Sequence, residues 1–347
     1  MSDTTFRNLR KQGKSLSHRK EKIGSWIRGI LLVLSLAILI LAILGASYQA
    51  IATRIDARNY PPPGQMVDVG GYQMHLFCSG SGGPTVILDA LFPGTVSNWA
   101  WVQPEVAKAT QVCAYDRAGL GWSESGPGPH DALHGARELH NLLEAADIRG
   151  PYILVGHSLG GLTVRMFADQ YSDEVAGMVL IEATNPDSWK RMGMPEGVGA
   201  DRNQLAIGAF LARFGIFRLG LLSAYSIDPD LPAQQRLELQ AFFNSVKSLE
   251  TVRDVNDLFS SALDQVRHAD DLGDKPLAIV LGSKGDGSNE RLRNLFTQQA
   301  GLSSNSFTQF VEGASHAGLV DNQTYALQTS DAIRRVLEAV RNDAALK

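Results

Sequence analysis

Cysteine is scarce in this sequence: Cys78 and Cys113 are the two in 347 residues. Neither lies where a lipid attachment site would need a cysteine, which excludes that kind of membrane attachment. From residue 65 onward the sequence also lacks internal repeats and low-complexity runs. We therefore interpret the region as a single domain, large enough for a catalytic domain, that carries an insertion.

Basic residues are few outside the N-terminus. The first 28 residues hold eight Lys or Arg against two acids, and because the whole chain carries −4, the remainder carries −10. This acidic remainder has no basic motif with interleaved aromatic residues. The composition excludes a nucleic-acid partner.

No charged residue lies between Arg28 and Arg54, and the apolar run over 29–52 is long enough to span a bilayer. A cleaved signal peptide is the alternative, because Ala50-Ile51-Ala52 matches a cleavage pattern. The long basic arm and the long apolar run favour an uncleaved signal anchor over 29–52. The positive-inside rule then predicts that residues 1–28 are cytoplasmic and that the domain after about Arg54 is extracytoplasmic; signal cleavage would instead give a secreted protein.

Three consecutive prolines in "DARNYPPPG" favour an extended spacer, and we interpret residues 53–64 as a stalk. Beyond it, eight apolar runs predict strands, and helical patterns separate most of them. The runs cover 66–69, 72–78, 85–90, 111–116, 152–156, 177–183, 276–282 and 307–313. Gly70-Gly71 predicts a hairpin between the first two, and the later alternation predicts parallel strands.

The stretch "YILVGHSLGG" places Ser158 at a turn between a strand and a helix. Such a turn exposes the serine hydroxyl, and the following helix directs free amide groups toward a developing oxyanion. A plain helix cap is the alternative for Ser158, and the Gly-x-Gly-x-x-Gly spacing of a dinucleotide loop is missing. "GHSLGG", together with "YDRAGLGWS" in which Ala118 replaces a glycine, resembles the α/β-hydrolase fold family over roughly residues 65–342.

The resemblance implies an α/β fold: an eight-stranded, mostly parallel sheet with helices on both faces. Its core is expected over 65–186 and 276–347, with a helical cap inserted over 187–275. The cap sequence is rich in Leu, Phe and Ile, which suggests an apolar acyl or alcohol group in the substrate. Candidate pocket-lining residues are Trp189, Met192, Met194, Phe242 and Phe243. A helix bundle that packs on itself is the alternative.

A serine nucleophile needs a base within hydrogen-bond reach. His316 follows the last strand and precedes the last helix, where the family carries its base. His157 adjoins Ser158 and is interpreted as packed or tuning. His130 and His134 have a one-turn spacing that zinc could use, but no third ligand is evident, so a solvated helix start is favoured and no metal or cofactor is expected.

Two carboxylates compete to orient His316. Asp286 follows the seventh strand, the family's usual place for the acid. Glu182 ends the sixth strand, where some relatives carry the acid, and a carboxylate at the end of an apolar central strand needs a partner. We favour Glu182 and keep Asp286 as the alternative, with Asp187 third.

The family's oxyanion hole uses two backbone amides. Leu159 supplies the first, and Leu91 or Phe92 in "LDALFPGTVSNW" supplies the second. The family's usual strand order also places strands two and four side by side, so Cys78 and Cys113 are candidates for a disulfide, with buried free thiols as the alternative.

The sequence therefore predicts a membrane-anchored serine hydrolase that cleaves carboxylic esters of small molecules with an apolar group through an acyl-enzyme. Amide or thioester hydrolysis is the nearest alternative. A non-catalytic binding domain of the same fold is the alternative from another class.

Overall fold

The protein folds around one eight-stranded sheet, which confirms the predicted fold class. In this computed structural model, the structure describes residues 3–187, 201–220, 226–285 and 290–346, with side chains from Gly24 onward. The strands are β1 Gln65–Asp68, β2 Gln73–Ser79, β3 Thr85–Asp89, β4 Val112–Tyr115, β5 Tyr152–His157, β6 Val175–Ile181, β7 Leu277–Gly282 and β8 Ser306–Val311.

The strand order is β1-β2-β4-β3-β5-β6-β7-β8. β2 pairs antiparallel with both β1 and β4, and the remaining neighbours pair in parallel. The β1–β2 turn is stabilised because Asp68 Oδ1 accepts hydrogen bonds from the amides of Gly70 and Gly71, 2.8 Å each. Parallel strands bring their carboxyl ends to one edge, so β5, β6 and β7 end beside one another.

Helices cover both faces of the sheet and extend beyond it. Their bounds are α1 Asp3–Asn59, α2 Val102–Val106, α3 Ala132–Ala145, α4 Gly160–Gln170, α5 Arg202–Ala212, α6 Ala233–Phe243, α7 Val246–Arg267, α8 Glu290–Gln298, α9 Gly318–Asp321 and α10 Gln323–Asn342.

The core has one apolar layer on each side of the sheet. On one side, alternate strand residues such as Ile87 and Leu154 pack with α3, α4 and α7. On the other, Val86 and Val155 pack with α2 and α10. Neighbouring strand residues thus enter opposite layers, which explains why the central strands are continuously apolar.

Cys78 and Cys113 are direct partners across β2 and β4. They form a disulfide with an S–S distance of 2.06 Å. The strand order that brings them together is the one that the family resemblance implies.

The N-terminal helix α1 is 57 residues long. Its part Gly24–Asn59 is long and apolar enough to cross a membrane. The helix continues through the first residues of the expected stalk, so the non-helical connection to β1 covers residues 60–64.

That connection is held against the folded body that contains the sheet. The indole of Trp122 donates to the carbonyl of Tyr60 at 2.8 Å, and His75 Nε2 contacts the carbonyl of Pro63.

Candidate active site

Ser158 occupies the tight turn between β5 and α4, with a φ of 56°. Its amide donates to the carbonyl of Ile181 at 3.0 Å, and its carbonyl accepts from Thr184 at 2.9 Å. A Cβ at Gly160 would lie 2.4 Å from the carbonyl oxygen of Asp89. The motif glycine is thus required where α4 begins close to β3, and Ser158 itself has a strained, left-handed backbone.

Glu182 directly follows β6 and is 1% exposed. Its Oε2 lies 2.7 Å from Nδ1 of His316, and its Oε1 accepts from the amide of Gly282 at 2.8 Å. Its φ of 36° is left-handed, so the backbone turns sharply at the residue that carries the carboxylate. Both carboxylate oxygens are therefore held, one by the ring of His316 and one by the last residue of β7.

His316 lies in the loop between β8 and α9, and its side chain is 31% exposed. Its carbonyl oxygen is 3.1 Å from Nε2 of His157. With Nδ1 facing Glu182, Nε2 of His316 is the nitrogen left to exchange a proton. The backbone and the ring of His316 are thus held by different residues.

His157 is fully buried beside His316, with their ring centroids 4.8 Å apart. Burial, and next the charge of His316, lower the pKa of His157 well below its usual range. His157 is therefore neutral at physiological pH and donates from Nε2 to the His316 carbonyl, because a carbonyl can only accept.

The competing acids are in different situations. Asp286 lies outside the residues that the structure describes. Asp187 forms an ion pair with Arg267 at 3.0 Å.

The residues expected to form the oxyanion hole lie near one another at the carboxyl ends of the parallel strands. Leu159 and Phe92 line the same cavity of about 50 Å³, together with Arg117, Leu162 and Phe259. Leu91 forms the adjacent turn, where its carbonyl accepts from Gly94 at 2.6 Å. Because Phe259 belongs to α7, the inserted region covers this side of the site.

Arg117 belongs to the YDRAGLGWS motif, and its contacts follow from the fold rather than from the motif. It forms an ion pair with the buried Asp89 at 2.5 Å and donates to the carbonyl of Ala90. Burial raises the pKa of Asp89, while Arg117 opposes that rise. The pair fixes the end of β3, from which the loop that contains Leu91 and Phe92 departs. The available signal was that Arg117 follows the predicted strand 111–116 while Asp89 lies near the end of the predicted strand 85–90.

The remaining candidates divide between places. Trp189, Met192 and Met194 lie outside the described residues. Phe242 packs against Trp122, with ring centroids 4.7 Å apart, in a groove beside α1. Phe243 is half-buried at the end of α6.

His134 lies at the start of α3, where its amide donates to Asp131.

The profile of the Alpha/beta hydrolase family matches residues 76–327, more than half of the chain. The chain belongs to the alpha/beta hydrolase family. Among curated family relatives, 2-hydroxy-6-oxo-2,4-heptadienoate hydrolase of Pseudomonas putida is 32% identical over 35% of this chain and 44% of its own. The 2-hydroxymuconate semialdehyde hydrolase of Pseudomonas sp. is 28% identical over 53% of this chain and 62% of its own.

This chain also aligns with less than half of the length of three other curated relatives. The aligned stretch spans 21%, 46% and 20% of relatives from Schizosaccharomyces pombe, Bacillus subtilis and Hormonema carpetanum.

Among solved structures, a bacterial membrane phospholipase A superposes with a TM-score of 0.56 at 17% identity, over 91% of this chain and 99% of its own. A lipase described as putative, from Acinetobacter baumannii, superposes at 0.58 and 19%, over 85% and 97%. At these identities the likeness establishes the hydrolase fold.

Proposed function

We propose that this protein is a serine hydrolase that cleaves carboxylic esters through a covalent acyl-enzyme. The observation that carries the proposal is the 2.7 Å contact between His316 Nδ1 and the buried carboxylate of Glu182, beside a serine in a strained turn. A buried carboxylate that orients an imidazole is the arrangement that makes a neighbouring serine nucleophilic. Glu182 is thus the proposed acid.

In the proposed reaction, Ser158 Oγ attacks the ester carbonyl carbon while Nε2 of His316 accepts the hydroxyl proton. The backbone amides of Leu159 and Phe92 stabilise the oxyanion. Collapse of the tetrahedral intermediate breaks the bond to the alcohol, which leaves with the proton from His316. Water, deprotonated by His316, then releases the acid and restores Ser158.

The test combines fluorophosphonate labelling with hydrolysis of nitrophenyl esters of increasing chain length. Ser158→Ala should abolish both signals. Glu182→Gln should lower kcat by about 10³- to 10⁴-fold, because the imidazole loses its orienting charge. Asp286→Asn is the matched control and should leave kcat unchanged. A folded wild-type protein that neither labels nor turns over any ester would instead favour the binding-domain alternative.

We further propose that α1 is an uncleaved membrane anchor with the hydrolase body outside the cytoplasm. The disulfide supports the external location, since such bonds persist in oxidising compartments. Contacts between α1 and the body support retention: Gln49 is buried and donates to the carbonyl of Asn244 at 3.1 Å, and Asp56 pairs with Arg218 at 2.6 Å. Cleavage after Ala52 would remove Gln49 from this contact.

Mass spectrometry of the mature protein tests retention of the anchor. The proposal expects the N-terminal residues to be present in the membrane fraction. A soluble mature chain that begins near residue 53 would contradict it.

A further inference from the structure

The cap exposes large apolar side chains on one face of α5. Ile207 and Phe210 are 58% and 56% exposed, and their spacing of three residues places them on the same face. Ala209 and Ala212 on the opposite face are buried against α7. The helix is therefore apolar toward the protein and also toward its surroundings, which is unusual for a helix that faces water.

This exposed face continues to α1. The rings of Phe210 and Phe214 are 5.2 Å apart at 69°. A Cβ at Gly45 would lie 2.7 Å from the carbonyl oxygen of Phe214, so the glycine allows this segment to approach α1 closely. We call Ile207, Phe210 and Phe214 the cap ridge.

The next residues of the cap are fixed to α1 by polar contacts. Arg218 Nε donates to Gln49 Oε1 at 2.7 Å, and its Nη1 pairs with Asp56. Arg218 is 9% exposed, so this ion pair is largely withdrawn from water. The cap segment thus lies alongside residues 45–56 of α1 in a defined register.

The register gives the depth of the cap ridge relative to a membrane. A helix rises 1.5 Å per residue and needs about 20 residues to cross the hydrocarbon core. Counted from Gly29, the first residue after the basic arm, the core ends near Tyr48. Gly45 and its neighbour Phe214 then lie at the outer boundary of the hydrocarbon, whereas Asp56 and Arg218 lie outside it.

We propose that the cap ridge is a membrane-contact surface whose occupant is the lipid of the outer leaflet beside α1. Lipid, rather than another protein, fits because the Phe214 end of the ridge lies at the depth where α1 leaves the hydrocarbon, and the exposed apolar surface of Phe210 adjoins Phe214. The inference rests on the membrane anchor proposed above. It adds a second point of contact, which holds the cap against the bilayer.

The test is site-directed spin labelling of the full-length protein in phosphatidylcholine nanodiscs. The native cysteines are joined in a disulfide, so Phe210→Cys and Ile207→Cys would each carry a single label. We measure the collision rates of the nitroxide with oxygen, which concentrates in lipid, and with a water-soluble nickel chelate. Leu327→Cys on α10 is the matched control, an apolar residue that is 42% exposed on the body. Leu36→Cys reports on the anchor itself.

The expected result is an oxygen-to-nickel collision ratio several-fold higher at 207 and 210 than at 327. Ratios at 207 and 210 equal to the control, with a high ratio at 36, would overturn the ridge and leave the anchor standing. A low ratio at 36 would remove the anchor and the ridge with it. A label at 210 that is immobilised and shielded from both reagents would identify a protein partner and also overturn the proposal. Unchanged unfolding midpoints verify that each labelled variant is folded.

Discussion

His157 shows at the scale of one residue what the sequence could not. Its place next to Ser158 is visible in the sequence, which supports either a packed or a tuning role. Its hydrogen bond to the carbonyl of His316 joins residues 159 positions apart. Chain proximity suggested an influence on the nucleophile, whereas the fold directs the imidazole to the backbone of the proposed base.

This contact predicts that His157 positions His316. Variants that lack or keep a hydrogen-bond donor at 157 can distinguish this role from packing. His157→Phe removes the donor, leaves the His316 carbonyl unpaired and should lower kcat by about 10- to 100-fold with little change in KM, since a misplaced base impairs the transition state. His157→Gln retains an amide donor and should recover much of that loss. Nitrophenyl ester kinetics provide the measurement. Equal losses in both variants would indicate packing alone.

The choice between Glu182 and Asp286 also depended on information beyond the local sequence. Both positions follow strands that end at the same edge of the sheet, and the apolar strand before Glu182 favoured it without showing which group the carboxylate contacts. The contact of Glu182 with His316 depends on the left-handed backbone at Glu182 and on the path of the loop after β8. Neither feature has a clear signature in single-residue propensities.

At the scale of elements, the strands were the most predictable part of the fold. Their apolar runs are long and end in turn residues, and all eight predicted strands overlap observed ones. Helix α1 extends well beyond the predicted span 29–52, because hydropathy detects the apolar part and not the polar turns on either side. The prolines at 61–63 fit its end after Asn59, since they cannot continue a helix.

The connection after α1 depends on a buried histidine. His75 Nδ1 lies 2.9 Å from Asp116 Oδ2, and its Nε2 contacts the Pro63 carbonyl. Both partners are acceptors, which favours the imidazolium. Burial alone would lower the pKa of His75, but Asp116, the Pro63 carbonyl and the charge of Glu238 together raise it. The half-buried Lys247 faces the same cluster through Asp116.

A raised pKa in the folded state makes this contact stabilising at low pH. Its contribution is fully present below the ordinary histidine pKa, about 6.5, and is lost as the pH rises through the raised value. The difference in unfolding midpoint between wild type and His75→Gln should therefore shrink as the pH rises above neutrality. His268→Gln, at an exposed histidine, is the control. A difference that is constant with pH would refute the protonated contact.

At the scale of the whole molecule, the disulfide joins the antiparallel edge of the sheet to its parallel centre. Cys78 and Cys113 are 35 residues apart, and the segment between them contains β3 and the loop with Leu91 and Phe92. Reduction would remove the loop constraint on this segment in the unfolded chain, whereas the strands of the folded sheet would stay paired. The cross-link therefore acts mainly on the unfolded state.

Loss of the disulfide should lower the free energy of unfolding by about 4 kcal/mol from loop entropy, which corresponds to roughly 10 °C in Tm. The measurement is thermal unfolding of a Cys78→Ala/Cys113→Ala double variant. Dithiothreitol should lower the Tm of the wild type and leave that of the double variant unchanged. A wild type that is insensitive to reductant while fully reduced would contradict the prediction.

The continuity of α1 has a consequence for movement. The helix continues without a break from its apolar part to Asn59. Residues of the cap bind it through a hydrogen bond to Gln49 and an ion pair with Asp56. If α1 crosses a bilayer as proposed, the folded body cannot rotate freely about a flexible linker. It diffuses laterally at a fixed distance from the membrane surface, and the same side always faces the bilayer. Encounters with substrate then depend on lateral diffusion within the zone next to the membrane that the body can reach. Lengthening the residue 60–64 connection would not widen that zone while the contacts at Gln49 and Asp56 persist.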